Sequence, residues 1–407
     1  MTWALYVHVP FCRARCPYCA FTLVTWRDVP WARFVDRLID RIAVERPLFG
    51  APPATLYLGG GTPSRMPGVE LRRLLDSVER QASAEVTVEA NPEDVDEHWV
   101  HAAAAAGVTR VSLGVQSFQS ATAKVLGREH SRRHAAEAIK RVADSFPTWS
   151  IDLMFGVEQG SGDSLDADID AVLSADAPHV SAYGLTIEPG TRFGEAKRGR
   201  RAVDDEAWRV AYDRLVERTR AAGLHRYEVS NFARAGHQSQ HNRVYWTGLP
   251  YAGVGPGAHG FRPTGERTAE TDDVAGWLSG AALTEETPTA RVAAVDRLWP
   301  ALRLVEGLNL NLFGEATGYR PHVDVVNRLH RGGALTHSDG HLALTDAGFA
   351  VADGVGRALV DALVPVDTWE KLSDVHTAVV VRNTASSTEG DGTNEVRVKG
   401  GERIPSD

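Results

Sequence analysis

Tyr6-Val-His-Val-Pro-Phe-Cys12-Arg-Ala-Arg-Cys16-Pro-Tyr-Cys19-Ala-Phe21 is the stretch on which the rest of the chain depends. The chain has three cysteines, and all of them stand here, in a C-x3-C-x2-C array. Thiolates this close in sequence can converge on one metal centre. Iron–sulfur clusters usually take four cysteines, so three would leave one iron of a cubane open to an outside ligand. A structural zinc site normally wants four Cys or His ligands. His8 could serve as a fourth, but no second C-x2-C pair follows. A disulfide would leave one thiol over and would not persist in an intracellular chain.

Outward from this stretch, strand and helix patterns alternate. Ala4–Val9 reads as a strand, and residues 30–46 carry apolar side chains at Phe34, Val35, Leu38, Ile39 and Ile42, a helical period. Pro30 suits a helix start. Thr55-Leu-Tyr-Leu is a short buried strand running into Gly59-Gly60-Gly61-Thr62-Pro63. Further strands are expected at Glu85–Glu89, Arg110–Val115, Trp149–Met154 and Val180–Leu185, with helices between them. Repeated βα units imply a parallel sheet with right-handed crossovers. Six such strands are too few for a closed eight-stranded barrel, so the expected fold is α/β, an open, partial (β/α)6 barrel.

Residues 1–200 are expected to form that barrel and 201–290 an extension of it. The extension includes a strand at Tyr227-Glu-Val-Ser and a His- and aromatic-rich loop. Residues 291–375 read as a small, mostly helical, winged-helix-like C-terminal domain. In it His341-Leu-Ala-Leu turns through an N-cap at Thr345 into a helix reaching about Val360. Residues 382–407, polar and glycine-rich, read as a disordered tail.

The composition, 43% apolar and 24% charged over 407 residues, is that of an ordinary globular protein. A net charge of −9 argues against a nucleic-acid or anionic-membrane surface, and Arg328, Arg331 and Arg357 are too sparse for a basic recognition face. The opening Met1-Thr-Trp-Ala-Leu-Tyr-Val runs straight into a strand, so no signal peptide is expected. No apolar run is long enough to span a bilayer. These features point to a cytoplasmic protein with no indicated membrane contact.

Tyr-x-His-x-Pro-Phe-Cys-x3-Cys-x-Tyr-Cys-x-Phe resembles the radical S-adenosylmethionine (SAM) superfamily, in particular its coproporphyrinogen-oxidase-like branch. The resemblance implies a [4Fe–4S] cluster on Cys12, Cys16 and Cys19, with SAM on the open iron and a 5′-deoxyadenosyl radical as its product. It also implies that Gly59, Gly60, Gly61 and Thr62 hold the amino-acid end of SAM; taken alone, that stretch is a tight βα turn. Tyr6 matches a position near the cofactor. Glu89, Gln116 and Asp152 stand at strand ends, the usual site face of a β/α barrel, and Arg128 follows in a loop. Each could be merely a cap, turn residue or surface charge, but their contexts are similar to the branch's SAM-binding positions.

His241-Asn-Arg-Val-Tyr245-Trp246, with His237 and His259 nearby, resembles the HemW haem-chaperone group of the same branch, and Arg303-Leu fits that group too. Imidazole can ligate haem iron, and aromatic rings can pack on a porphyrin. The resemblance implies haem binding at His241 and Tyr245, a haemoprotein acceptor, and an electron donor such as flavodoxin or ferredoxin. Two other functions lie within the branch. One is an oxygen-independent coproporphyrinogen III dehydrogenase, although Phe21 stands where those enzymes carry a further cysteine. The other is a two-SAM radical methyltransferase or natural-product enzyme, which the departure at Ala20 from the usual Asp allows.

Overall fold

Alternation along six strands builds the centre of the protein. The computed structural model describes residues 2–157, 162–196 and 204–367, with the side chains of 162–164 excepted. Strands β1 (Ala4–Val9), β2 (Thr55–Gly60), β3 (Glu85–Ala90), β4 (Arg110–Gln116), β5 (Thr148–Phe155) and β6 (His179–Gly184) run parallel and pair in chain order. This is the expected partial barrel. Leu56, Leu58, Val86 and Val88 join the core beneath the helices, while Tyr57, Thr87 and Glu89, at the alternate positions, line an internal cavity. Each fully buried Leu or Val contributes roughly 1.5–3 kcal/mol. The helix Trp31–Glu45 follows the expected period, burying Phe34, Val35, Leu38 and Ile42, and Pro30 sits at its N-cap.

Beyond β6 the sheet is antiparallel. Strands β7 (His225–Arg226) and β8 (Asn231–Ala233) form a hairpin, and β8 lies along β6. The strand expected at Tyr227-Glu-Val-Ser is therefore the turn between them. Its polar residue explains the difference. Glu228 is fully buried and accepts hydrogen bonds from the Ser230 N–H and from Arg303 at 3.0 Å, tying this turn to the chain's C-terminal part.

The His- and aromatic-rich segment is not an irregular loop. It holds the helix Gln240–Trp246, capped by Ser239, and then β9 (Tyr251–Val254), which pairs parallel with β1. A helix of barely two turns and a four-residue, glycine-bearing strand are too short to show a period. Strands β10 (His259–Phe261), β11 (Arg267–Ala269) and β12 (Thr284–Glu286) extend this edge. Toward the C-terminus come helices Ala290–Ala301, Leu310–Thr317 and Val323–Arg331 and the hairpin Leu335–Ser338/His341–Leu344. Thr345 caps the next helix as expected, but the helix breaks at Ala350–Val351 and resumes at Ala352–Asp361. The tail expected at 382–407 lies outside the described residues. Among the described residues no helix is long and apolar enough to cross a membrane.

Candidate functional site

The cysteine loop closes over the C-terminal ends of the barrel strands. Its base is fixed before Cys12: the Cys12 N–H donates to Val24 O at 3.0 Å and the Val24 N–H to Pro10 O at 2.8 Å. Within the loop, Arg15 donates to Cys19 O and Leu23 O. Cys12, Cys16 and Cys19 are free thiols lining one side of a cavity of about 840 Å³. Burial pushes the Cys12 and Cys19 thiols up, and the other cysteines add to the shift. Among the described residues no three His, Cys, Asp or Glu side chains converge closely enough for a single metal ion. Three thiols around one cavity, apart from other donors, fit the larger cluster that thiolates favour better than a zinc ion.

The glycine turn lies against the strand that leads into the loop. Gly60 has φ +108°, and a Cβ there would stand 2.4 Å from the His8 ring; one on Gly61 would stand 2.8 Å from the Pro10 carbonyl carbon. Only glycine allows this approach. A Cβ on Gly59 would press on Glu89. The turn thus places Thr62, whose hydroxyl donates to Cys12 Sγ at 3.4 Å.

Four expected polar residues face the same cavity. Glu89 accepts from Tyr57 OH at 2.8 Å and Gly60 N–H at 3.1 Å. Burial, with help from the Asp152 charge, lifts its carboxyl to about 7 against those two donors. Asp152 is lifted to about 6 by burial, opposed by hydrogen bonds from Ser112. Gln116 has φ +68° at a bulge in β4, which turns its side chain into the cavity. Arg128 donates to Asn91 Oδ1 and Gly114 O, each at 2.6 Å, and Nη1 lies 3.9 Å from Cys16 Sγ.

Tyr6 is half-buried outside the cavity lining, with its hydroxyl 3.0 Å from His8 Nδ1. Burial, reinforced by Glu89, pushes its phenol up. His241 is elsewhere again. It has no exposed surface, its ring stacks on Tyr57, and its nitrogens lie 2.8 Å from Thr55 Oγ1 and 2.7 Å from Tyr245 OH. Burial drives it down to about 3, so it is neutral. A ring with both nitrogens engaged has no lone pair for an incoming iron. His237 bonds Thr148 in the barrel wall and His259 is exposed, so the three histidines do not converge.

Sequence reasoning missed Tyr57, Arg110, Ser112, Ser150 and His179, which also line the cavity. Polar residues at alternate positions of an otherwise apolar strand were the available signal.

The Radical SAM superfamily model matches residues 6–171. The chain is 36% identical to the heme chaperone HemW of Mycobacterium tuberculosis, over 88% of this chain and 95% of that protein. It belongs to the HemW family. The Escherichia coli HemW is likewise 36% identical, over 68% of this chain and 76% of that protein. Among solved structures, Escherichia coli coproporphyrinogen III oxidase (HemN), described as a radical SAM enzyme, superposes with a TM-score of 0.76 over 88% of this chain and 89% of that one. At 17% identity this likeness shows the fold alone. Family membership makes the chain a HemW-like radical SAM protein and implies a [4Fe–4S] cluster and SAM.

Proposed function

We propose that this HemW-like protein binds haem and passes it to an acceptor haemoprotein, with SAM in a supporting role. The observation that carries the proposal is kinship along 95% of a relative named as a heme chaperone. The cluster would sit on Cys12, Cys16 and Cys19. Gly59 to Thr62 would take the amino-acid end of SAM, Arg128 its carboxylate, and Glu89 and Asp152 its ribose hydroxyls, with Gln116 completing the surroundings and Tyr6 behind the cavity wall. Cys12, Cys16 and Cys19 would hold a cluster whose chemistry, when reduced, would be one-electron cleavage of SAM to methionine and a 5′-deoxyadenosyl radical. Flavodoxin or ferredoxin would provide that electron, in the cytoplasm, where thiols stay reduced. His241 and Tyr245 would serve the haem reading by bracing the helix Gln240–Trp246; direct ligation by His241 would require that helix to leave its seat.

Anaerobic reconstitution followed by hemin titration tests the proposal. A saturable Soret shift, and loss of that haem to an apo-haemoprotein, are expected; a flat titration ends the haem reading. A second, catalytic reading is favoured by the cavity, which runs from the cysteine loop down to Ser239 and Asn242 and carries Glu89, Asp152, Arg110 and His179 in its wall. Decarboxylation of coproporphyrinogen III, or S-adenosylhomocysteine released during turnover, would establish it as a dehydrogenase or a methyltransferase respectively.

A further inference from the structure

The cavity continues past Glu89 and Asp152 to the opposite end of the barrel, where Arg110, Thr87 and His179 line it above the helix Gln240–Trp246. Arg110 opens β4 and is only 2% exposed. Its Nη1 donates to Thr148 Oγ1 at 3.1 Å and to His237 O at 3.0 Å. Among the described residues no carboxylate lies within ion-pair distance of it. Asp152, in the same cavity, acts on it only from beyond contact distance, and a guanidinium withdrawn from water without a contacting counter-charge is costly to the fold.

The neighbouring groups are donors. Thr87 Oγ1 and His179 Nδ1 are buried and have no hydrogen-bond partner, and both residues are at most 1% exposed. His179 Nε2 lies 2.8 Å from Tyr227 OH, whose oxygen accepts the Ser239 N–H at 3.1 Å. Among the described residues Nε2 is the one acceptor hydrogen-bonded to the phenol, and the phenol proton is assigned to it on that ground. This leaves Nδ1 carrying the proton of a neutral imidazole, a donor with nothing to donate to. A cation and unused donors around one cavity end are the requirements of an oxyanion site.

We propose that the closed end of the barrel binds a small oxyanion, with Arg110 supplying the charge and His179 and Thr87 supplying hydrogen bonds. The site lies at the far end of the cavity from the cysteine loop. It is independent of the haem reading. A carboxylate and an inorganic phosphate share this chemistry, and size decides between them.

The test uses the full-length protein, titrated with sodium formate, sodium acetate and inorganic phosphate by calorimetry. Sodium chloride at matched ionic strength is the control. Saturable binding of at least one oxyanion is expected, weakened by about tenfold or more in Arg110→Gln. Formate and acetate binding without phosphate binding assigns a carboxylate; the reverse assigns phosphate. His179→Phe and Thr87→Val should each weaken the same anion several-fold, and they decide the matter if Arg110→Gln does not fold. No saturable heat beyond the chloride control would mean that the pocket holds only water and would overturn the proposal. So would affinity left unchanged in Arg110→Gln, or in both of the other variants.

Discussion

The cysteine loop and the helix Gln240–Trp246 lie at opposite ends of one cavity, and each carries a residue type that can bind iron. Their side chains are treated in opposite ways. At the loop, three thiols are left without covalent partners and held by backbone bonds around them. At the helix, His241 spends both nitrogens on Thr55 and Tyr245 and has no exposed surface. Residue type and spacing identify a metal-ligand candidate, but it is unsatisfied bonding capacity facing a cavity that distinguishes a ligand from a brace.

Substitutions at the two ends should therefore fail differently. Cys16→Ala should lose essentially all of the roughly four irons expected of a reconstituted cluster while keeping its far-UV spectrum. An unchanged iron-to-protein ratio would refute the ligand assignment. His241→Ala should do the reverse. It removes a buried stacked ring and orphans two hydroxyls, a loss of about 3–5 kcal/mol in urea unfolding with iron content retained. If stability stays put and iron is lost, the two ends are not distinct.

Arg128→Ala tests the open end with all three thiols in place, at the loss of its 3.9 Å contact to Cys16 Sγ. It removes bonds to Asn91 and Gly114 beside Cys16, and SAM affinity should fall by about 10–100-fold. Equilibrium binding to reconstituted protein measures this, and undiminished affinity would remove Arg128 from the SAM site.

Titration gives a smaller effect. Glu89 and Asp152 are lifted from 4.5 and 3.8 to about 7 and about 6. Between those limits the folded apo-protein keeps protons that the unfolded chain has released. Their contribution to stability therefore falls as pH rises from about 4 to 7. Glu89→Gln should flatten that fall by about 1–3 kcal/mol, read from urea midpoints at pH 5 and pH 8. An identical slope in the variant would mean that Glu89 titrates normally. The smallest effect is at the rim, where exposed Arg13 pairs with Asp94. The Asp94 side chain is itself buried and also accepts from Ser64 Oγ, so Arg13→Ala should cost about 1 kcal/mol, and a loss well above that would show that the rim pair supports the loop.

The open end was more legible in the sequence than the closed end, for a physical reason. A cluster loop is local: Cys12, Cys16 and Cys19 must be close in sequence to share one centre, and the glycine turn directly follows its own strand. Glu89, Gln116 and Asp152 were found because the C-terminal ends of parallel strands define the site face. Arg110 and His179 start their strands, where a polar residue looks like an edge or a cap. Only the pairing of β3 to β6 brings them together. His241 reads from sequence as part of a loop because a seven-residue helix barely completes two turns, and its partner Thr55 is remote in sequence.

The fixed base of the cysteine loop also bears on how the cofactor is replaced. Where ligands lie on a floppy segment, metal must gather them, and removing it unravels the fold. Here the bonds among Pro10, Cys12 and Val24, and the bond from Phe193 N–H to Pro17 O at 2.9 Å, hold the loop closed by protein contacts alone. The cluster proposed for Cys12, Cys16 and Cys19 would therefore assemble in a receptacle whose loop-closure entropy is already lost. A cluster lost from these thiols would then leave the loop in place for reassembly on the same polypeptide.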